Sequence, residues 1–297
     1  ALMAGNRIDE GMDKLDRALV AIGDPPVGAR SPSSYAAALA FLLGAGASAV
    51  RARSSTPAAL EKAECDARIA TLVGFVDPLA GVRVLWRARR GLAAAGAAEG
   101  VASCDLKFAL FAEVRSGARV TPWRARHYRA RAERVCREHG VASDRIELLR
   151  GFLDGIAHFR AGDWDAVAAR WNTTLARADA SGDLDAFEQS YLAVNAGFVE
   201  MVRQRPRAVA EWLRAIDLRL RDGRDVAVLA YVHAGRALAR LWDGDLDGAR
   251  RGYEEAAASL PRERATNQRA VTWVLRLALK PHDGSCEARE ALRGGEL

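Results

Sequence analysis

Apolar residues recur along the chain with a helical period. Between Thr121 and His139, Ala125, Tyr128, Ala132 and Val135 form one stripe, while Arg124, Arg131 and Arg134 lie off it. Four start signals place a capping side chain before a proline: Ser31-Pro32, Thr56-Pro57, Asp77-Pro78 and Thr121-Pro122. The side chain accepts from a first-turn amide, and proline at the first helical position gives up an amide that had no partner. Gly162-Asp163, Gly182-Asp183 and Gly244-Asp245 punctuate the second half, glycine ending one helix and aspartate capping the next. No stretch alternates as a strand would. The pattern predicts an all-α chain of about twelve or thirteen helices joined by short turns, which is the geometry of antiparallel hairpins.

The hairpins repeat. Trp171, Trp212 and Tyr253 follow one another at a spacing of 41 residues, as do Gly155, Ala196 and Ala237. Val167, Ala208 and Ala249 coincide at the same offset, and so do Thr174, Ala215 and Ala256. A bulky knob at one site and small residues at three others are what a stacked helix pair needs. The expectation is a solenoid in which each unit buries its apolar face on its neighbours and the three rings fill equivalent sockets. Residues 1–142 are read as N-terminal hairpins, 143–280 as three repeats and 281–297 as a tail.

The third unit, Gly244-x-Leu246-x-x-Ala249-x-x-x-Tyr253-x-x-Ala256-x-x-x-x-Pro261, closely resembles the second half of a tetratricopeptide repeat, with Ala237 at the small position of the first helix. The middle unit departs from it, because Gln204-Arg205-Pro206 replaces the Gly-Asp turn. The resemblance implies a right-handed superhelix. Gly5 to Gly11, followed by Leu15 and Ala18-Leu19, matches the turn and second helix of the same motif, so the chain reads as starting in mid-repeat. Val76 to Gly81, continuing through Arg83, Leu85 and Leu92 to Gly96, resembles the tetratricopeptide-like tail of large bacterial signalling proteins. Phe159 to Ala166, followed by Ser181 to Leu184, is similar to the middle of that tail. In that family a Ser/Thr protein kinase domain and a P-loop ATPase module precede the repeats. The resemblance implies that any kinase or ATPase activity lies outside this chain, and that the repeats bind a protein or peptide, including those upstream domains.

Composition sharpens this picture. Half of the residues are hydrophobic and 28% are charged, which suits a packed core and argues against a membrane protein. Arginine outnumbers lysine 40 to 4, and residues 79–137 hold 13 Lys/Arg against 4 Asp/Glu. Arg115, Arg119, Arg124, Arg126, Arg129, Arg131, Arg134 and Arg137 face only Glu133 in their span, and two readings stand side by side. They contact water or acidic groups of the same chain, or Arg124, Arg126, Arg131 and Arg134 hold a polyanion or nucleic acid. The few nearby aromatics, Trp123 and Tyr128, favour the first reading. Four scattered cysteines without a C-x-x-C pair indicate neither disulfides nor a zinc site, and fit a reducing cytosol.

Chemical motifs are sparse. Gly44-Ala45-Gly46-Ala47-Ser48-Ala49 imitates a dinucleotide fingerprint, but it follows a helix rather than a strand. No P-loop or kinase triplet is present. Cys136 and His139 do not complete a metal site, and Asp163 and Asp165 read as helix-start residues rather than an acid–base pair. The chain is therefore expected to be non-catalytic, without metal or cofactor. By the tetratricopeptide pattern the first helices line a concave groove through Phe152, Ile156, Phe159, Ser190, Glu200, Tyr231, Leu238 and Trp242, together with Ala193, Gly197 and Ala234. Such a groove would take a helix or an extended peptide; longer helices would instead close it and make these residues core. A small-molecule sensor is the remaining alternative.

Overall fold

The computed structural model describes residues 13, 14, 16, 17, 20, 26, 32–44, 50, 56–76, 78–115, 122–184, 186–220 and 226–258. Among these residues the chain is all-α, with eleven helices. They are α1 (Pro32–Leu42), α2 (Pro57–Val76), α3 (Pro78–Ala94), α4 (Ala98–Arg115), α5 (Pro122–His139) and α6 (Asp144–Ala161). Then come α7 (Trp164–Ser181), α8 (Ala186–Val202), α9 (Pro206–Leu220), α10 (Val226–Trp242) and α11 (Leu246–Ala258). Successive helices pair as antiparallel hairpins: α2 with α3, α4 with α5, α6 with α7, and α10 with α11. Two compact units divide at Gln189/Ser190, inside α8.

The start and stop signals act as the local physics dictates. Four helices begin at the prolines of the cap–proline pairs, and Thr56 Oγ1 accepts from Ala59 N at 3.3 Å. Ser143 caps α6 through Ile146 N at 3.3 Å, and Asp163 caps α7 through Ala166 N at 3.2 Å. Gly162 and Gly244 take left-handed backbone, φ 73° and 84°, which lets the next amide reach back to the carbonyl five residues earlier. Gln204 adopts the same conformation at φ 52°, with Arg205 N on Glu200 O at 3.2 Å. The turn is thus retained without glycine, and Pro206 opens α9.

In the unit of residues 12–189, α4 is the centre. Its residues from 101 to 112 are buried on every face, Ser103, Asp105 and Lys107 included. The helices α2, α3, α5 and α6 pack around it. The α2–α3 hairpin is drawn tight by glycine: a Cβ on Gly81 would sit 2.3 Å from Gly74 Cα. The Phe111 ring of α4 closes over Gly74.

Trp171 and Trp212 occupy alike surroundings, each within its own unit. Trp171 Nε1 donates to Phe152 O at 3.1 Å and Trp212 Nε1 to Ala193 O at 2.8 Å, in both cases 19 residues earlier. A close glycine lies under each ring, because a Cβ on Gly155 would fall 1.9 Å from Trp171 and one on Gly197 2.0 Å from Trp212. The second of these corrects the 41-residue alignment, which put Ala196 at this place. Ala208 is half-buried and Ala215 exposed, whereas Val209 and Ile216 fill the core of α9. In the third unit Tyr253 is half-buried and has no enclosed socket. There the close approach is made by Gly252, whose Cβ would meet that of Ala237 at 2.8 Å. Ala249 and Ala256 are buried as expected, and Thr174 packs on Gly151. Pro261, residues 5–11 and the 281–297 tail lie outside the described residues.

Candidate functional site

Most of the expected groove residues are core. Phe152, Ile156, Tyr231 and Leu238 are buried, as are Ala193, Gly197 and Ala234. Phe159 and Trp242 are half-buried, with the Phe159 ring stacked on Trp171 at 6.2 Å. Glu200 is buried and holds Arg203 at 2.9 Å. The Ser190 side chain lies outside the described set. Helices of 15 to 18 residues in α6 to α9 bury the faces that shorter repeat helices would leave open.

The arginine-rich segment is largely spent inside the unit of residues 12–189. Asp105, 0% exposed, accepts from Arg89 Nε at 2.7 Å and Arg89 Nη2 at 3.1 Å, and Arg131 Nη2 stands 3.3 Å away. Both arginines are only 3% exposed. A second buried group joins Lys107 Nζ to Ala67 O and to Glu188 Oε1, each at 2.9 Å, with Arg145 forked onto the same carboxylate at 3.0 and 3.1 Å. Asp66 holds Arg87 by two bonds of 2.7 and 2.8 Å, and Arg129 pairs with Asp154 at 2.8 Å. Arg131 is therefore no surface group for a polyanion. Arg126, Arg134 and Arg137 are exposed. Arg115, at the end of α4, and Arg119 lie where no side chain is described.

The remaining segment of α5 terminates α1. The last carbonyls of a helix lack intrahelical donors, and α5 supplies them. Tyr128 Oη donates to Phe41 O at 3.0 Å, Arg124 Nε to Leu42 O at 2.9 Å, and Arg131 Nη1 to Gly44 O at 3.3 Å. His127 Nε2 is 2.9 Å from the same Gly44 carbonyl. Gly44, at φ 64°, is the left-handed residue that ends α1, which accounts for the first glycine of the apparent nucleotide fingerprint. Residues 45–49 of that run lie outside the described set.

One surface stands out against this ion-paired interior. Tyr35, Leu39, Leu42 and Leu43 share one face of α1 and are 44 to 67% exposed, while Ser34 and Ala37 on the other face are buried. Trp123, 45% exposed, stands at the start of α5 beside the end of α1, its ring 6.3 Å from His127. Sequence periodicity missed this face because α1 is apolar all round: Pro32–Leu42 contains no charged residue to mark a solvent side.

The other chemical candidates are explained locally. Asp163 serves as the cap of α7 and Asp165 is exposed in its first turn. Cys136 is buried and His139 exposed. Burial pushes the Cys104 thiol up to about 12. Among the described residues no group of three or more His, Cys, Asp or Glu is placed to hold a metal ion. No described helix is long and apolar enough to cross a membrane. No protein-family model, curated protein or solved structure matches the chain.

Proposed function

We propose that this chain is a non-catalytic recognition and regulatory module that binds a protein or peptide partner on its helical surface. The observation that carries the reading is the exposed apolar face of α1 with Trp123. With Trp123 these side chains leave roughly 500 Å² of apolar surface open at ordinary side-chain areas, and exposed apolar surface of that order marks interaction sites. We read the hairpins as tetratricopeptide-like units of a right-handed superhelix. The matching Trp171 and Trp212 bonds support that reading, and the loss of a Tyr253 socket weakens the third unit. On the resemblance of Val76–Gly81 and Phe159–Ala166, the parent would be a bacterial cytoplasmic signalling protein whose kinase and ATPase domains are one partner.

Panning a phage library of helical peptides against the purified chain tests the reading. Binders should be recovered whose attachment is lost with Tyr35→Glu and Leu39→Glu, while the far-ultraviolet circular dichroism stays unchanged. Failure to enrich above an unrelated helical protein, or binders indifferent to both substitutions, would sink it. The polyanion alternative keeps only Arg126, Arg134 and Arg137 as exposed cations of α5, with Arg124 turned to Leu42 O. A mobility shift with single-stranded nucleic acid at low salt would revive it.

A further inference from the structure

We infer that α3, α4 and α5 build a receptor for the C-terminal end of a helix, that α1 occupies it in cis, and that a partner helix of the same pattern displaces α1. This goes beyond the exposed face of α1, because it concerns the surface that α1 itself covers. Ser34, Ala37 and Phe41, at i, i+3 and i+7, are the face that α1 turns inward: Ser34 is 1% and Ala37 4% exposed, and Phe41 is half-buried. The Phe41 ring stacks on Tyr128 at 5.6 Å and lies tilted 5.7 Å from Phe108. Arg83 Nη1 of α3 donates to Ser34 Oγ at 3.2 Å. The bonds from Tyr128, Arg124 and Arg131 go to main-chain carbonyls, which a helix of any sequence offers.

The seat is held in shape by groups other than α1. Tyr128 stacks on Phe108 at 5.1 Å, and Phe108 meets Trp86 edge-on at 6.1 Å. Arg131 stands 3.3 Å from the buried Asp105, and its guanidinium lies 5.2 Å from the Tyr128 ring centroid. The Arg124 guanidinium lies 5.3 Å from the Trp123 ring centroid. With these supports the donors stay aimed when α1 leaves. α1 has no basic residue in its last turn to answer the negative end of its dipole, and the seat supplies Arg124 and Arg131 instead. What α1 invests there is small. Its largest apolar side chains, apart from Phe41, are 44 to 67% exposed, and eleven residues are too few to persist alone. Elements with few buried contacts open first. A partner suited to the seat carries small-x-x-small-x-x-x-Phe along one face, ends within the next turn and has no cation in that turn. A basic last turn would meet Arg124 and Arg131 with like charge, which excludes most ordinary helix ends.

The experiment uses the full chain and a rhodamine-labelled, C-terminally amidated peptide of residues 32–44 carrying Tyr35→Glu, Leu39→Gln, Leu42→Gln and Leu43→Gln. The peptide keeps Ser34, Ala37 and Phe41 but lacks the outward apolar residues, so it cannot imitate the exposed face. Binding is read by fluorescence anisotropy. Phe41→Ala in the chain loosens the occupant in cis and should tighten peptide binding at least about tenfold over the unaltered chain, because the vacant fraction of the seat scales the apparent affinity. Adding Tyr128→Phe should then weaken it about three- to tenfold, and a peptide with Phe41→Ala should not bind. Thermal melts confirm that each variant folds; if Phe41→Ala does not, amide exchange in the unaltered chain decides. There an excess of peptide should speed exchange across Pro32–Leu42, whereas a partner on the outer face of α1 would slow it. Equal affinity for both chains, binding that fails to speed those amides, or no binding at all would overturn the inference. The recognition reading survives such a failure if the phage library yields helices that Tyr35→Glu and Leu39→Glu release, and falls with it if the library yields nothing.

Discussion

Replacing Asp105 by Asn keeps its shape and removes its charge, in a place where two guanidinium groups have no water to turn to. The carboxylate is fully buried, with three contacts at 2.7, 3.1 and 3.3 Å to Arg89 and Arg131. An amide can accept through one oxygen only, and its NH2 would point a donor at a donor. Breaking a buried ion pair by removing one partner costs about 3–5 kcal/mol, a large part of a stability of about 5–15 kcal/mol. For a unit of this size that is a fall in Tm of roughly 6–20 °C. Urea unfolding followed by circular dichroism should show the midpoint drop at an unchanged m value, confined to the transition of residues 12–189. Two controls bracket the result. Arg177→Ala removes an exposed partner of Asp144 and should leave the midpoint where it was. The triple change Asp105→Leu, Arg89→Met and Arg131→Met should recover most of the loss, since apolar groups of like volume replace a buried triad without stranding a charge. A loss below about 1 kcal/mol for Asp105→Asn would mean that water reaches the triad, and the account of α4 as a dry central helix would be wrong.

Three further expectations follow from the same packing. Trp171→Phe and Trp212→Phe each remove an indole N–H bond to a buried helical carbonyl, of Phe152 and Ala193, and should each cost about 0.5–1.5 kcal/mol for the bond in urea midpoints; a neutral result at either site would deny the shared role. Gly197→Ala drives a methyl into the Trp212 ring, 2.0 Å from the ideal Cβ, and should destabilise by about 1–3 kcal/mol, detectable as a blunted near-ultraviolet tryptophan signal. Burial raises Cys104 from 9.0 to about 12, and Tyr128 and Tyr191 from 10.0 to about 12. The unfolded chain therefore loses these protons first, so stability falls as pH rises from about 9 towards 12, by up to roughly 1.4 kcal/mol per pH unit per group. Urea midpoints across that range check the sign, and a thiol reagent at pH 8 should label exposed Cys65 and spare Cys104.

Helix starts were legible because they depend on two adjacent residues. Pro32, Pro57, Pro78 and Pro122 fix their own φ and each opens a helix. The 41-residue register was legible where it depends on one large ring, at Trp171 and Trp212. It failed where small residues had to be ranked. Ala196 and Gly197 are neighbours of nearly equal size, and the bulk of Trp212 selects the one without a Cβ. Groove and core were indistinguishable for a like reason: an apolar first-helix residue reads the same whether a ligand or its own hairpin covers it. Phe152 and Leu238 turned out to be covered by the chain.

The fate of the arginines was hidden because ion pairs are long-range choices. Arg131 finds Asp105 on the central helix, 26 residues upstream, and Arg145 finds Glu188 43 residues downstream. These pairings bear on recognition. α1 is an eleven-residue helix without a single charge, too short to persist on its own. Its C-terminal carbonyls are held by Tyr128 and Arg124, and the Gly44 carbonyl just past its end by Arg131, which is in turn held by Asp105. The exposed stripe is therefore presented by a helix whose order depends on the buried triad. Weakening the triad should loosen α1 before the hairpins melt, and affinity at Leu39 should fall in step with amide exchange rates in Pro32–Leu42. A partner that binds the ordered helix must, by the same linkage, protect those amides. Recognition at the surface and charge pairing in the core then bias one local equilibrium from its two ends.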